Sequence, residues 1–173
     1  MESSALPEQQ YSQRVFDRRR VEDFIYMESR LLDERRFEEW QELFDEDASY
    51  WVPAKLDQQS GLTDVSIFYD DKELMRTRVE RLSHPRIHVD DPKTRAVRLV
   101  SNIEIYPAES GAAYDILVQA VIGAIIYWQR KQYVYGGRCE YQLRDRDSRL
   151  SIYHKRVNLV NCDGLLPPLV VPF

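Results

Sequence analysis

Apolar residues at Val21, Phe24, Ile25, Leu31 and Leu32 follow the three-and-four spacing of a helix that buries one face, and they predict a first helix. Phe37, Trp40, Leu43 and Phe44 repeat the spacing over a shorter stretch and predict a second. Ser49-Tyr50-Trp51-Val52 then reads as a strand stopped by Pro53, and residues 54–65 are polar and loop-like. A third helix is expected from Asp70-Asp71, whose carboxylates suit a helix N-terminus. It runs through Leu74, Met75, Arg78, Val79 and Leu82 until Pro85 prevents its extension.

Beyond Pro85 the period changes. Val97, Leu99, Ser101, Ile103 and Ile105 alternate with Arg98, Asn102 and Glu104, the period of two of a half-buried strand. After a turn at residues 107–111, Ile116 to Trp128 is apolar at odd and even positions alike, which predicts a central strand covered on both faces. Two more strands, from about Tyr133 to Arg144 and from about Leu150 to Asn161, flank the turn-forming Asp145-Arg146-Asp147-Ser148. Gly136-Gly137 lacks the downstream helix and lysine of a phosphate cradle and reads as a bulge or sheet bend.

Helices first and a long meander afterwards is an α+β layout: a strongly curved, mainly antiparallel sheet wrapped around N-terminal helices and enclosing a cone-shaped interior. Residues 1–15 are expected to form a flexible tail and residues 16–173 a single domain, since no linker divides them. Residues 165–173 are apolar, so a partner surface is expected to cover them in a subunit interface.

Composition narrows the function classes. The formal net charge is -5, and the basic residues are scattered among carboxylates, so nucleic acid is disfavoured as a partner. No apolar run has the length of a membrane span or the shape of a signal peptide, which predicts a soluble, cytoplasmic protein. Cys139 and Cys162 have neither the number nor the spacing of a disulfide framework or a zinc site and read as reduced thiols. The 11 tyrosines exceed the usual need of such a chain and point to aromatic packing or an interface.

Several segments in order carry a resemblance. Glu28-Ser29-Arg30-Leu31-Leu32-Asp33, Phe37-Glu38-Glu39-Trp40 and Asp47-Ala48-Ser49-Tyr50-Trp51-Val52-Pro53 come first. Tyr69-Asp70-Asp71, Asp91-Pro92-Lys93-Thr94-Arg95 and Ser101-Asn102-Ile103 follow. Together, over roughly residues 20–161, they resemble the beta subunits of aromatic-ring-hydroxylating dioxygenases. The resemblance implies the cone fold of the nuclear-transport-factor-two superfamily. It also implies a partner, an alpha subunit carrying a Rieske 2Fe-2S cluster and a mononuclear Fe(II), in a ring of three alpha and three beta subunits. Reductase and ferredoxin components would be linked indirectly. The sequence departs from the family at Ser83–Val89, where many relatives carry a tryptophan, and at Arg98, where a histidine is frequent.

Candidate chemistry within the chain is sparse. Neither cysteine has a histidine one or two residues later, so the Rieske pattern is missing and no cofactor is expected here. An iron site would have to draw on His84 and His88 with Asp90 or Asp91, but Pro85 spoils the register between the histidines, and a polar loop is the preferred reading. Glu28 falls within the apolar stripe of the first helix and should point inward. It reads as a general base in a cone pocket or, preferably, as one half of a buried ion pair with an arginine such as Arg78 or Arg98.

Tyr26, Tyr50, Tyr114, Tyr127, Tyr133, Tyr135, Tyr141 and Tyr153 are expected to pack or to anchor interfaces more than to line a pocket. The favoured reading is a non-catalytic structural subunit acting through the outer faces of the meander and the apolar tail. The rival is a stand-alone isomerase, dehydratase or hydrolase of the same fold using Glu28 or His88.

Overall fold

A computed structural model describes residues 16–83, 93–164, 166, 169 and 171–173. The expected 1–15 tail, the stop at Pro85, and His84, His88, Asp90 and Asp91 lie outside the described residues.

Helix α1 spans Arg18–Asp33. Asp17 caps it, its carboxylate accepting from the N–H groups of Arg19 and Arg20 at 3.1 and 3.3 Å. Its inner face is Val21, Phe24, Ile25, Glu28, Leu31 and Leu32. Arg35, at φ 60°, turns the chain into α2, Phe37–Gln41, which is shorter than the sequence pattern suggests. Leu43 and Phe44 are taken by the sheet instead. The Leu43 carbonyl accepts from the Ile152 N–H at 2.8 Å, and the buried Lys72 ammonium donates to the carbonyls of Gln41 and Phe44.

The sheet comprises β1 (Phe44–Pro53), β2 (Ser66–Asp71), β3 (Arg95–Pro107), β4 (Ile116–Trp128), β5 (Lys131–Arg146) and β6 (Arg149–Leu159). Their spatial order is β2-β1-β6-β5-β4-β3, antiparallel throughout except for the parallel β1/β6 pair. The meander β3–β6 matches the sequence expectation closely. Strand β2 was not anticipated. Helix α3, Lys72–Ser83, begins beside the predicted acidic pair, and Asp71 accepts from the Leu74 N–H at 2.8 Å.

Three expectations change in detail. First, β3 does not keep one phase. Val97 and Leu99 are 49% and 62% exposed on the outer face, while Arg98 points inward and is buried. The register shifts between Ser101 and Glu104, where Asn102 adopts φ 51°, and this bulge returns Ile103 and Ile105 to the inside. Second, the described residues bury only one face of β4. Ile116, Val118, Ala120, Ile122, Ala124 and Ile126 are buried, whereas Val121 and Tyr127 are exposed. Third, β4 and β5 pair without interruption across Gly136 and Gly137, so there is no bulge. Gly137 is needed for close approach: a Cβ there would lie 2.3 Å from the Asn158 carbonyl oxygen of β6.

The run Arg144–Asp147 is a turn only at its end. Arg144 belongs to β5 and is buried, and Asp147 and Ser148, at φ 50° and 64°, make the reversal. Val171 and Phe173 are buried in this chain's own core, because the concave side of the sheet needs filling: the Phe173 ring meets Tyr135 edge-on at 5.3 Å, and its N–H donates to the Tyr50 hydroxyl at 3.0 Å.

Candidate functional site

Glu28 lies in the middle of the apolar face of α1 and has no exposed surface. The curvature of the sheet brings Lys155 of β6 and Tyr141 of β5 to it from one side, and α2 brings Trp40 from the other. Trp40 Nε1 and Lys155 Nζ each donate to Glu28 Oε1 at 2.6 Å, and the Tyr141 hydroxyl donates to Oε2 at 3.3 Å. Lys155 also donates to the Phe173 main-chain oxygen and lies over the rings of Tyr50 and Tyr141, 5.8 and 5.2 Å from their centroids. The carboxylate is therefore paired, hydrogen-bonded and enclosed by aromatic rings.

Burial sets the other ionisations of this interior. It raises the tyrosine hydroxyls of Tyr50 and Tyr141 well above their usual range and pushes the Cys139 thiol up to about 12. Both cysteines are free and buried, and Cys139 is engaged with Tyr141, so neither is a poised nucleophile. A general base needs a free lone pair facing a substrate. At Glu28 the volume a substrate would use holds Trp40, Tyr141 and Lys155, with Phe173 closing over Lys155.

The partner of Glu28 is thus a lysine, not the arginine anticipated. Arg78 makes a two-pronged pair with Asp70 at 2.7 and 2.9 Å and lies over the Phe68 ring. Arg98 binds Asp33 at 2.6 Å and the Pro172 carbonyl at 2.5 Å, fastening the end of α1 and the tail to β3. Arg144 bridges Asp45 and Asp47 at 2.9 and 2.6 Å and stacks on Tyr153, tying β1 to β5.

Of the singled-out tyrosines, Tyr50, Tyr135 and Tyr141 are core residues, and Tyr26 and Tyr127 are 45% and 39% exposed. Among the described residues no three histidine, cysteine, aspartate or glutamate side chains come together in a way that would hold a metal ion. Nor is any described helix long and apolar enough to cross a membrane.

Comparison with known proteins places this geometry. Over 153 residues, 87% of this chain and 83% of the relative, the sequence is 35% identical to the small oxygenase component of the p-cumate 2,3-dioxygenase system of Pseudomonas putida. It is 30% identical over 146 residues to the benzoate 1,2-dioxygenase subunit beta of Acinetobacter baylyi, covering 82% of this chain and 85% of that one. The beta subunit of the benzoate 1,2-dioxygenase of Burkholderia mallei superimposes with a TM-score of 0.65 at 24% identity, over 85% of this chain and 93% of the other. The family described as ring hydroxylating beta subunit matches residues 27–163, and the chain belongs to that family.

Proposed function

We propose that this chain is the non-catalytic structural subunit of a multicomponent aromatic-ring-hydroxylating oxygenase. It holds a large alpha subunit in an α3β3 ring in the cytoplasm, and the alpha subunit carries the Rieske cluster and the mononuclear iron. Relatives named for p-cumate and benzoate oxygenation support an aromatic substrate, with the choice of arene made in the alpha subunit. Reductase and ferredoxin components supply electrons to that subunit and need no contact with this chain.

The observation that carries the reading is the state of Glu28. The carboxylate that an enzyme of this fold would use is spent on Lys155, Trp40 and Tyr141. The donor set does not fit a Rieske cluster either, since Cys139 and Cys162 are separately buried and no histidine pairs with them in the sequence. No step of the oxygenation is assigned to this chain's residues.

The test is co-expression with a Rieske alpha subunit. The expected product is a stable hexamer in which all iron travels with the alpha chain, while this chain purified alone is iron-free and inactive. Turnover of a small molecule by the isolated chain, or failure to co-purify with any alpha subunit of this oxygenase class, would reject the reading.

A further inference from the structure

Residues 171–173 are buried inside the cone without joining any strand or helix. Side chains hold them. Arg98 of β3 donates to the Pro172 carbonyl at 2.5 Å, Lys155 of β6 donates to the Phe173 main-chain oxygen, and the Tyr50 hydroxyl of β1 accepts from the Phe173 N–H at 3.0 Å. The Phe173 ring meets Tyr135 of β5 edge-on. Four strands thus each contribute one side chain to a single aromatic residue and the peptide bond before it.

A core residue is ordinarily held by the main-chain pairing of its own element and by apolar contact. Here side chains read two main-chain acceptors and one donor while a ring fills an aromatic slot, which is how a protein recognises a bound peptide. Two cations and two carboxylates border the slot, Arg98 and Lys155 against Asp33 and Glu28, so it suits an uncharged ligand.

The polar groups of the slot are fixed without the tail. Asp33 holds Arg98 at 2.6 Å through the guanidinium and at 2.9 Å through its main-chain N–H. Glu28 holds Lys155 at 2.6 Å, and the Tyr50 ring lies between Trp40 and Phe68, 5.9 and 6.0 Å from their centroids. With the tail withdrawn both cations would stay paired, so the slot is preorganised. Arg98, 6% exposed, also has a donor to spare: its Nε is buried and meets no acceptor among the described residues. A buried donor that the present occupant leaves unused points to a ligand with one more acceptor.

We propose that the interior of the cone is a binding slot for an uncharged apolar peptide carrying phenylalanine after proline, and that Pro172 and Phe173 are its tethered, self-inhibiting occupant. Tethering gives the tail an effective concentration on the order of millimolar, so a free peptide enters only where the tail is weakened or drawn out. The slot lies wholly within this chain and does not depend on the large subunit.

The probe is the peptide acetyl-Val-Pro-Phe-amide, titrated into the full-length wild type and into the Phe173→Ala and Phe173→Leu variants. The Ala variant keeps the tail's main-chain bonds but lacks the ring, so a probe that carries the ring displaces it. The Leu variant weakens the tail at a smaller cost to folding. The probe is expected to raise the melting temperature of both variants saturably and to bind the wild type at least about tenfold more weakly. Its ring protons should show nuclear Overhauser contacts with Tyr135. The same peptide with D-phenylalanine, or with the phenylalanine nitrogen methylated so that Tyr50 loses its donor, should bind the variants at least about tenfold more weakly than the probe. No shift in either variant, equal binding to the wild type, contacts away from Tyr135, or equal binding of the two altered peptides would each overturn the proposal.

Discussion

Lys155 and Glu28 share one buried oxygen contact of 2.6 Å, and neither side chain has any exposed surface. Removing one member of such a pair leaves a charge in an apolar interior, which costs about 3–5 kcal/mol. Lys155→Met is therefore expected to lower the unfolding free energy by that amount in urea titrations, and adding Glu28→Gln should recover most of it. An unchanged midpoint in the single variant would show that the pair contributes nothing.

His154 makes the second prediction at this scale. Its Nδ1 is 2.7 Å from the Ser49 hydroxyl, and burial first, then the neighbouring Arg156, lowers its pKa to about 4. The unfolded imidazole titrates near 6.5, so the unfolded chain takes up the proton first. Stability is complete above about pH 6.5 and falls as pH drops toward 4, with a slope set by the uptake of at most one proton per molecule on unfolding. Urea midpoints between pH 7 and 4.5 should show this slope, and His154→Gln should remove it. The inward direction of Glu28 was legible in the sequence because it interrupts an apolar stripe. Its partner was not, because Lys155 lies 127 residues away and Asp70 and Asp33 had already engaged the two arginines that looked available.

At the scale of elements, the three helices and the four-stranded meander were readable because periods of 3.6 and 2 survive in the sequence. The phase of a strand was harder to read. Val97, Leu99, Ile103 and Ile105 look like one face, yet the bulge at Asn102 puts the first two outside and the last two inside. Strand β2 escaped notice because Ser66–Asp71 follows a long polar loop and only pairs as an edge with β1.

The paired glycines of β5 differ in purpose, which gives a contrast to measure. Gly137→Ala drives a methyl group toward the Asn158 carbonyl and should cost about 1–3 kcal/mol. Gly136→Ala makes only an ordinary contact, 3.9 Å from the Ile122 carbonyl oxygen, and should change stability by less than about 0.5 kcal/mol. Equal losses in thermal melts would mean that close approach of β6 is not what keeps Gly137 small.

At the scale of the molecule, Phe173 is part of the core that the curved sheet encloses. Its ring is 1% exposed against Tyr135, so Phe173→Ala should destabilise the chain by about 3–5 kcal/mol in denaturant titrations. A loss under about 1 kcal/mol would mean the cone stands without it. Apolarity alone does not distinguish a chain's own concave surface from a partner's, so the inward burial of Val171 and Phe173 is not legible in the tail's sequence.

The parallel pairing of β1 with β6 has a consequence for biosynthesis. Tyr50 must find Lys155 more than a hundred residues downstream, so α1, α2 and β1 emerge from the ribosome long before the strand that encloses them exists. Until β6 is made, the future core face of α1 and the Glu28 carboxylate are open to solvent. The chain is expected to become protease-resistant in one late step once β6 has been synthesised, and nascent chains halted before it should depend on chaperones.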